Sequence, residues 1–302
     1  MSFQIDTART VQFGQNFMML AQQKASRLRN AVMVESGVLG KRVTMDQVGA
    51  ADDTELTIRH GDTPLMDVPH ARRHIVLRRF NWATLVDQMD KLQTIEDPTN
   101  IYAQQCAAAM GRRIDRIILD AAYAAALTGE EGTGSVAFPA GQQIAVNSWL
   151  YGTGTGNAGL TISKLIEAKV LLDRNEAGTD PDEERYIVCT ARQIGNMLAT
   201  AEFTSQDFNF SREELGALVT GKVDTFMGFK FIRTELVPLN GSSQRRVLAY
   251  VKSGLGLAVQ AEPVIRISER ADKNHSTQIY AELGIGATRV EEAKVAEIIC
   301  AE

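Results

Sequence analysis

The chain has 302 residues, 44% of them hydrophobic and 23% charged, with a formal net charge of -5. That length supports one large or two ordinary domains with a substantial core, and the composition excludes disordered, collagen-like and low-complexity chains. The slight acidity argues against a protein whose main task is to neutralise phosphates, and no apolar run reaches the roughly 20 residues a membrane-spanning helix needs. Cys106, Cys189 and Cys300 lie in apolar stretches and read as buried thiols of a reducing compartment. The first residues, MSFQIDTARTVQF, have neither a signal-peptide layout nor a lipidation motif, so the chain is expected in the cytosol or in an assembly built there.

From Thr10 to Asn30 the apolar residues Phe13, Phe17, Leu20, Ala21 and Leu28 recur at helical spacing and predict an amphipathic helix. It precedes any obvious core and carries a basic excess, which suits packing on something other than its own domain. Residues 31–79 alternate in short pieces, Arg42–Met45 and Leu56–Arg59, broken by Gly and Pro. They read as a long twisted β-hairpin with too few bulky apolar residues for a core of its own, and such a hairpin needs a partner surface. At its end Arg72, Arg73, Arg78 and Arg79 fall within eight residues, either as the charged ends of a solvated strand or as anchors for carboxylates on another subunit.

Trp82 to Leu92 reads as a short helical piece. Asp97-Pro98 then opens a long Ala-, Ile- and Leu-rich helix expected to run to Thr128 and close at Gly129. At 1.5 Å per residue it makes a rod of about 46 Å, a spine for something flat or elongated. Residues 130–159 are rich in Gly, Thr and Ser around a single apolar strand, Gln143 to Val146, and read as a surface connection. Thr161 caps a helix expected to reach Ala177 and end at Gly178, Arg185 to Thr190 reads as a buried strand, and Ala191 to Leu198 as another helix, an alternation that makes an α/β subdomain. Leu218 to Phe231, Val247 to Val251 and Gln278 to Ile299 add strands, the last expected beside the long helix.

The inventory of reactive groups is thin. His70 and His74 have a spacing that suits a metal on a helix, but a strand puts them on one face about 13 Å apart. Gly154-Thr-Gly156-Asn-Ala-Gly159 is formally a G-x-G-x-x-G turn before a helix, the one feature that would support a nucleotide-dependent enzyme. No apolar strand runs into it and no acidic residue follows the next strand, so it reads as a flexible linker. The adjacent acid pairs Asp52-Asp53, Glu183-Glu184 and Glu213-Glu214 read as solvated surface. No catalytic residue, metal ligand or cofactor site is assigned, and no enzymatic activity is expected.

The order of these parts, with Gln22–Arg29, Arg59–Pro64, Asp87–Leu92 followed by Asp97-Pro98, Phe138–Gly141, Gly228–Glu235 and Gly286–Glu292, resembles the major capsid proteins of tailed bacteriophages, the Hong Kong 97 type fold. The resemblance implies an α+β fold with an N-terminal arm (1–30), an extended β-hairpin loop (31–79), a peripheral domain (80–156) holding a spine helix (98–128), an axial α/β domain (157–245) and a return to the peripheral domain (246–302). It implies self-assembly into hexamers and pentamers of an icosahedral shell around double-stranded DNA, in a virion assembled in the host cytoplasm. A cellular nanocompartment shell of the encapsulin type is the alternative with the same architecture. The implied partners are further copies of the chain, a separate scaffolding protein because the arm begins at once, a portal at one vertex, a decoration protein and non-specific contact with packaged DNA, with no membrane. Candidate inter-subunit contacts are Arg27, Arg29, Arg59, Arg72, Arg73, Arg78 and Arg79.

Overall fold

The computed structural model describes residues 19–55, 59, 63, 65–87, 99–152, 154–180, 182–199 and 225–302. These fall into two units, one drawn from 1–26, 80–112 and 262–283, the other from 27–79, 113–261 and 284–302. The strands are β1 (Met33–Ser36), β2 (Arg42–Val48), β3 (His70–Val76), β4 (Arg78–Val86), β5 (Ala126–Thr128), β6 (Gly134–Val136), β7 (Gln143–Ile144), β8 (Arg185–Cys189), β9 (Thr225–Phe226), β10 (Phe229–Arg233), β11 (Arg245–Val251), β12 (Leu255–Arg270), β13 (Ser276–Arg289) and β14 (Val295–Cys300). The helices are α1 (Thr99–Tyr123), α2 (Ile162–Arg174) and α3 (Ala191–Leu198).

In the larger unit a six-stranded sheet runs β7-β14-β11-β8-β10-β9. Its central strands are covered on both faces, which is why Arg185-Tyr-Ile-Val-Cys189 is buried throughout and Val247 to Val251 are all apolar and buried. β10 lies parallel to β8, with Phe229 opposite Arg185, while β11 is antiparallel to both β8 and β14. Leu165, Ala168 and Leu172 of α2 and Ile194 and Met197 of α3 pack against Ile187, Val247, Ala249 and Ile298. Each fully buried Leu or Ile stabilises the fold by roughly 1.5–3 kcal/mol relative to leaving it in water.

Caps set the helix ends. The Thr161 side chain accepts the backbone N–H of Lys164, and Thr190 with Gln193 forms a reciprocal capping box at α3. The helix begun at Thr161 stops at Arg174 rather than Ala177, because Glu176 and Gly178 adopt left-handed conformations with φ of 53° and 71°.

A second sheet in this unit has the order β2-β3-β5-β6. β2 and β3 pair antiparallel from Arg42 opposite Val76 to Val48 opposite His70, so the hairpin's return strand is His70–Val76. Of the alternating piece Leu56–Arg59, Arg59 lies in a turn and 56–58 fall outside the described residues. β3 also pairs with β5, and its Ile75 packs with Val43 and Ala258 in a small core. β1 runs parallel to the start of β12, Met33 opposite Gly256.

Three other sequence expectations are corrected. Met19 to Leu28 is irregular and Arg29–Ala31 is a 3-10 turn, so the described end of the predicted arm helix is not helical; residues 10–18 lie outside the described set. Its backbone amides are taken by a side chain elsewhere: Arg27 and Leu28 donate to the Asp115 carboxylate. Trp82 to Val86 is not helical but belongs to β4, where Phe80, Trp82, Thr84 and Val86 are more buried than their neighbours, a period of two; residues 88–92 lie outside the described set. The spine helix α1 covers 25 residues, about 37 Å, and ends at Tyr123 instead of Thr128. Arg289 takes the Ala122 and Ala124 carbonyls at its end, and Ala126–Thr128 turns into β5 between β3 and β6. The two strand-like pieces of the return segment are β13 and β14, and β14 enters the six-stranded sheet between β7 and β11.

Candidate inter-subunit surface

The arginines at the hairpin end do not act as one cluster. Arg72 forms a two-point pair with Asp46 across the β2–β3 ladder, at 2.5 and 3.2 Å. The hydrogen bond from Arg72 is the main cause holding the Asp46 carboxyl below its ordinary range. Arg73 points the other way and is buried, donating to the Val290 carbonyl at 3.1 Å and to Glu292 at 2.6 Å. Both are committed within their own chain. Arg78 and Arg79 open β4, are exposed, and have no hydrogen-bond or ion-pair partner among the described residues. Arg78 also borders a groove of about 280 Å³ floored by Ala121, Ala124 and Gly286, with Asp120 on its rim. Arg27 is exposed and donates to the Arg233 carbonyl, Arg29 is half-buried, and Arg59 is exposed.

Residues that the sequence reading passed over do more of the positioning. Asp115, fully buried in α1, accepts from the Arg27 amide at 3.0 and 3.2 Å and from the Leu28 amide at 3.1 Å, which fixes the chain at 27–28 against this helix. An Asp one turn from Ile118 and Leu119, on the helix's apolar side, was the available signal. Arg246 forms a two-point pair with the buried Glu297 and lies over the Tyr123 ring, while Gln143 also donates to Glu297. This brace joins α1 to three strands of the large sheet.

The Gly154 to Gly159 turn is held rather than flexible. A side chain at Gly154 would stand 2.6 Å from the Trp149 ring, one at Gly159 would stand 2.0 Å from the Asn196 amide nitrogen, and the Trp149 indole donates to the Gly156 carbonyl at 3.0 Å. The fully buried Lys164 ammonium donates to the Ala158 and Ile299 carbonyls at 2.8 and 2.9 Å, pinning the turn to β14. The glycines therefore allow close packing, and the cation that might have met a phosphate is already occupied. Burial pushes the Cys189 and Cys300 thiols up to about 12, far from nucleophilic. His74 is buried with Nε2 donating to the Gly129 carbonyl at 2.7 Å, whereas His70 is exposed. Among the described residues no group of three His, Cys, Asp or Glu side chains is placed to hold a metal ion.

Buried polar braces, a β2–β3 hairpin and exposed arginines suit a structural subunit more than an enzyme. Solved structures agree on the fold. The chain matches the capsid of the cyanophage P-SCSP1u with a TM-score of 0.73 at 16% identity, covering 97% of this chain and 93% of that one. It matches the acid-stable capsid of the Helicobacter pylori bacteriophage KHP30 with a TM-score of 0.73 at 9% identity, covering 99% and 97%. Mycobacterium phage Che8 gives a TM-score of 0.68 at 15% identity, covering 96% of each chain. No curated protein sequence matches. The family model described as phage capsid protein matches residues 5–302, and the chain belongs to that family. It is a phage capsid protein, a structural protein, and its fold is shared with the phage capsids just named. Neither the nanocompartment nor the nucleotide-enzyme alternative is favoured.

Proposed function

We propose that the chain builds hexamers and pentamers of an icosahedral shell around double-stranded DNA, without enzymatic activity, and that shells form in the host cytoplasm. Residues 1–30 serve as the arm, 31–79 as the extended loop, 80–156 with part of 246–302 as the peripheral domain, and 157–245 as the core of the axial domain. The sheet membership of β7, β11 and β14 supports enlarging the axial domain to include them. A separate scaffolding protein, a portal at one vertex, a decoration protein and loose contact with DNA complete the partner set. The acidic chain, at -5, suits a container that does not grip its contents.

The observation that carries the reading of the surface is the split among the arginines. Arg72 and Arg73 have partners at home, whereas Arg78 and Arg79 stand exposed without one among the described residues, so the inter-subunit role falls to the latter two, with Arg27, Arg29 and Arg59 as lesser contacts. A desolvated Arg–carboxylate pair between copies can be worth several kcal/mol, while a solvated one is worth about 1 kcal/mol or less. The test is the double variant Arg78→Glu, Arg79→Glu. Its circular dichroism and melting should match the parent while sedimentation shows no shells; normal shells from that variant would refute the assignment.

A further inference from the structure

The Glu292 carboxylate stands between two guanidinium groups of the larger unit. On one side Arg73 of β3 donates to its Oε2 at 2.6 Å. On the other, Arg289 at the end of β13 is fully buried and donates to the Ala122 and Ala124 carbonyls at the end of α1, at 2.8 and 3.0 Å, and to Val136 of β6 at 3.0 Å. One face of that guanidinium lies 5.1 Å from the Phe138 ring. Its Nε faces Glu292 Oε1 at 3.6 Å. That is ion-pair range but too long for a hydrogen bond, and both atoms are buried with no hydrogen-bond partner among the described residues.

Buried polar atoms are rarely left unpaired, and here two complementary ones face each other across a gap about 0.6 Å longer than a normal N–H···O bond. Two arginines share one carboxylate, so the local charge is +1, offset by the carbonyls around it. We propose that Glu292 is a two-seat latch: seated on Arg73 it ties the base of the extended hairpin to the β13–β14 turn, and seated on Arg289 it completes the cap on the end of the spine helix. The device lets the base of β3 shift relative to α1 without stranding the buried Arg289 charge. As Arg73 withdraws, the carboxylate closes on the waiting Nε of Arg289. A fixed salt bridge between Arg73 and Glu292 alone has no such second position.

A double-mutant cycle on the unassembled full-length chain separates the two. Glu292→Gln should raise the unfolding equilibrium constant roughly tenfold in the parent, as expected for loss of a charge-assisted hydrogen bond. In an Arg73→Met background the latch still serves Arg289, so Glu292→Gln should again cost roughly tenfold, and a structure of Arg73→Met should show Glu292 Oε1 within about 3.0 Å of Arg289 Nε. If Glu292→Gln is neutral within about twofold in that background, or the carboxylate turns to solvent, the latch is overturned. Should Arg73→Met fail to fold, Arg73→Lys, which keeps the charge but loses the forked guanidinium, supports the same two readings.

Discussion

Replacing Asp115 by Ala should loosen residues 27–28 from α1 at a cost that can be worked out from the contacts. The carboxylate is fully buried and receives the amides of Arg27 and Leu28 at 3.0 to 3.2 Å. Each hydrogen bond to a charged acceptor contributes about 1.5–3 kcal/mol net, so two amides set an upper range of about 3–6 kcal/mol. Two effects reduce it. Arg27 is exposed, so its freed amide can be hydrated, and removing a buried charge also removes a desolvation penalty. The expected loss is about 2–4 kcal/mol, falling mostly on Leu28, whose side chain is fully buried and whose amide has little access to water. Asp115→Asn keeps one acceptor oxygen and should cost about half as much. Urea unfolding of the unassembled chain gives the energy, and amide exchange at Arg27 and Leu28 gives the location. Arg27→Ala is the control: it removes only an exposed side chain bonded to the Arg233 carbonyl and should cost about 1 kcal/mol or less. A loss below about 0.5 kcal/mol in Asp115→Ala, with amide protection unchanged, would refute the claim that this carboxylate holds residues 27–28.

Acid should weaken the larger unit through Glu183. Burial raises its carboxyl pKa, but bonds from the Ser253 hydroxyl, the Lys294 ammonium and the Gly178 amide outweigh that and leave it below the ordinary 4.5. A carboxyl depressed in the folded state contributes stability that is present above 4.5 and is lost as the pH falls through the folded value. Melting temperature followed from about pH 6 down to about pH 3 should therefore decline less steeply in Glu183→Gln than in the parent; parallel curves would remove Glu183 from the account. Gly154→Ala places a methyl group 2.6 Å from the Trp149 ring and should destabilise by about 1–3 kcal/mol with a change in tryptophan fluorescence, whereas Gly141→Ala, with open space around it, should be near neutral. Equal effects at the two sites would mean that Trp149 does not constrain the turn.

Local patterning made much of the α/β part legible. Thr161, Thr190 and Gly178 are cap signals, and Arg185 to Cys189 is an unbroken apolar strand once its first residue is paired; its guanidinium bonds the Ala177 carbonyl and Asp173. The misses came where distant groups decide. Leu20 and Leu28 keep helical spacing, yet the backbone there answers to Asp115, 88 residues on from Arg27. Ala126 to Thr128 has good helix formers, but Arg289 closes the helix and β3 offers a strand partner. In Arg78 to Val86 the alternation of Phe80, Trp82, Thr84 and Val86 was visible and was passed over for helix propensity.

The candidate surface was half legible. A run of arginines can be seen in the sequence, but which of them are already paired depends on Asp46 in the opposing strand and Glu292, 219 residues from Arg73. Strand alternation alone would have set Arg72 and Arg73 on opposite faces. It could not have told that each face already holds a carboxylate.

If this chain associates with copies of itself through Arg78 and Arg79, electron cryo-microscopy of the protein expressed alone and with a candidate scaffolding protein should show closed shells or capsomer rings in at least one sample. The Arg78 and Arg79 guanidinium groups should then lie within about 4 Å of carboxylates on an adjacent copy. Single copies under both conditions, or shells whose contacts leave both arginines in solvent, would contradict this mode of association.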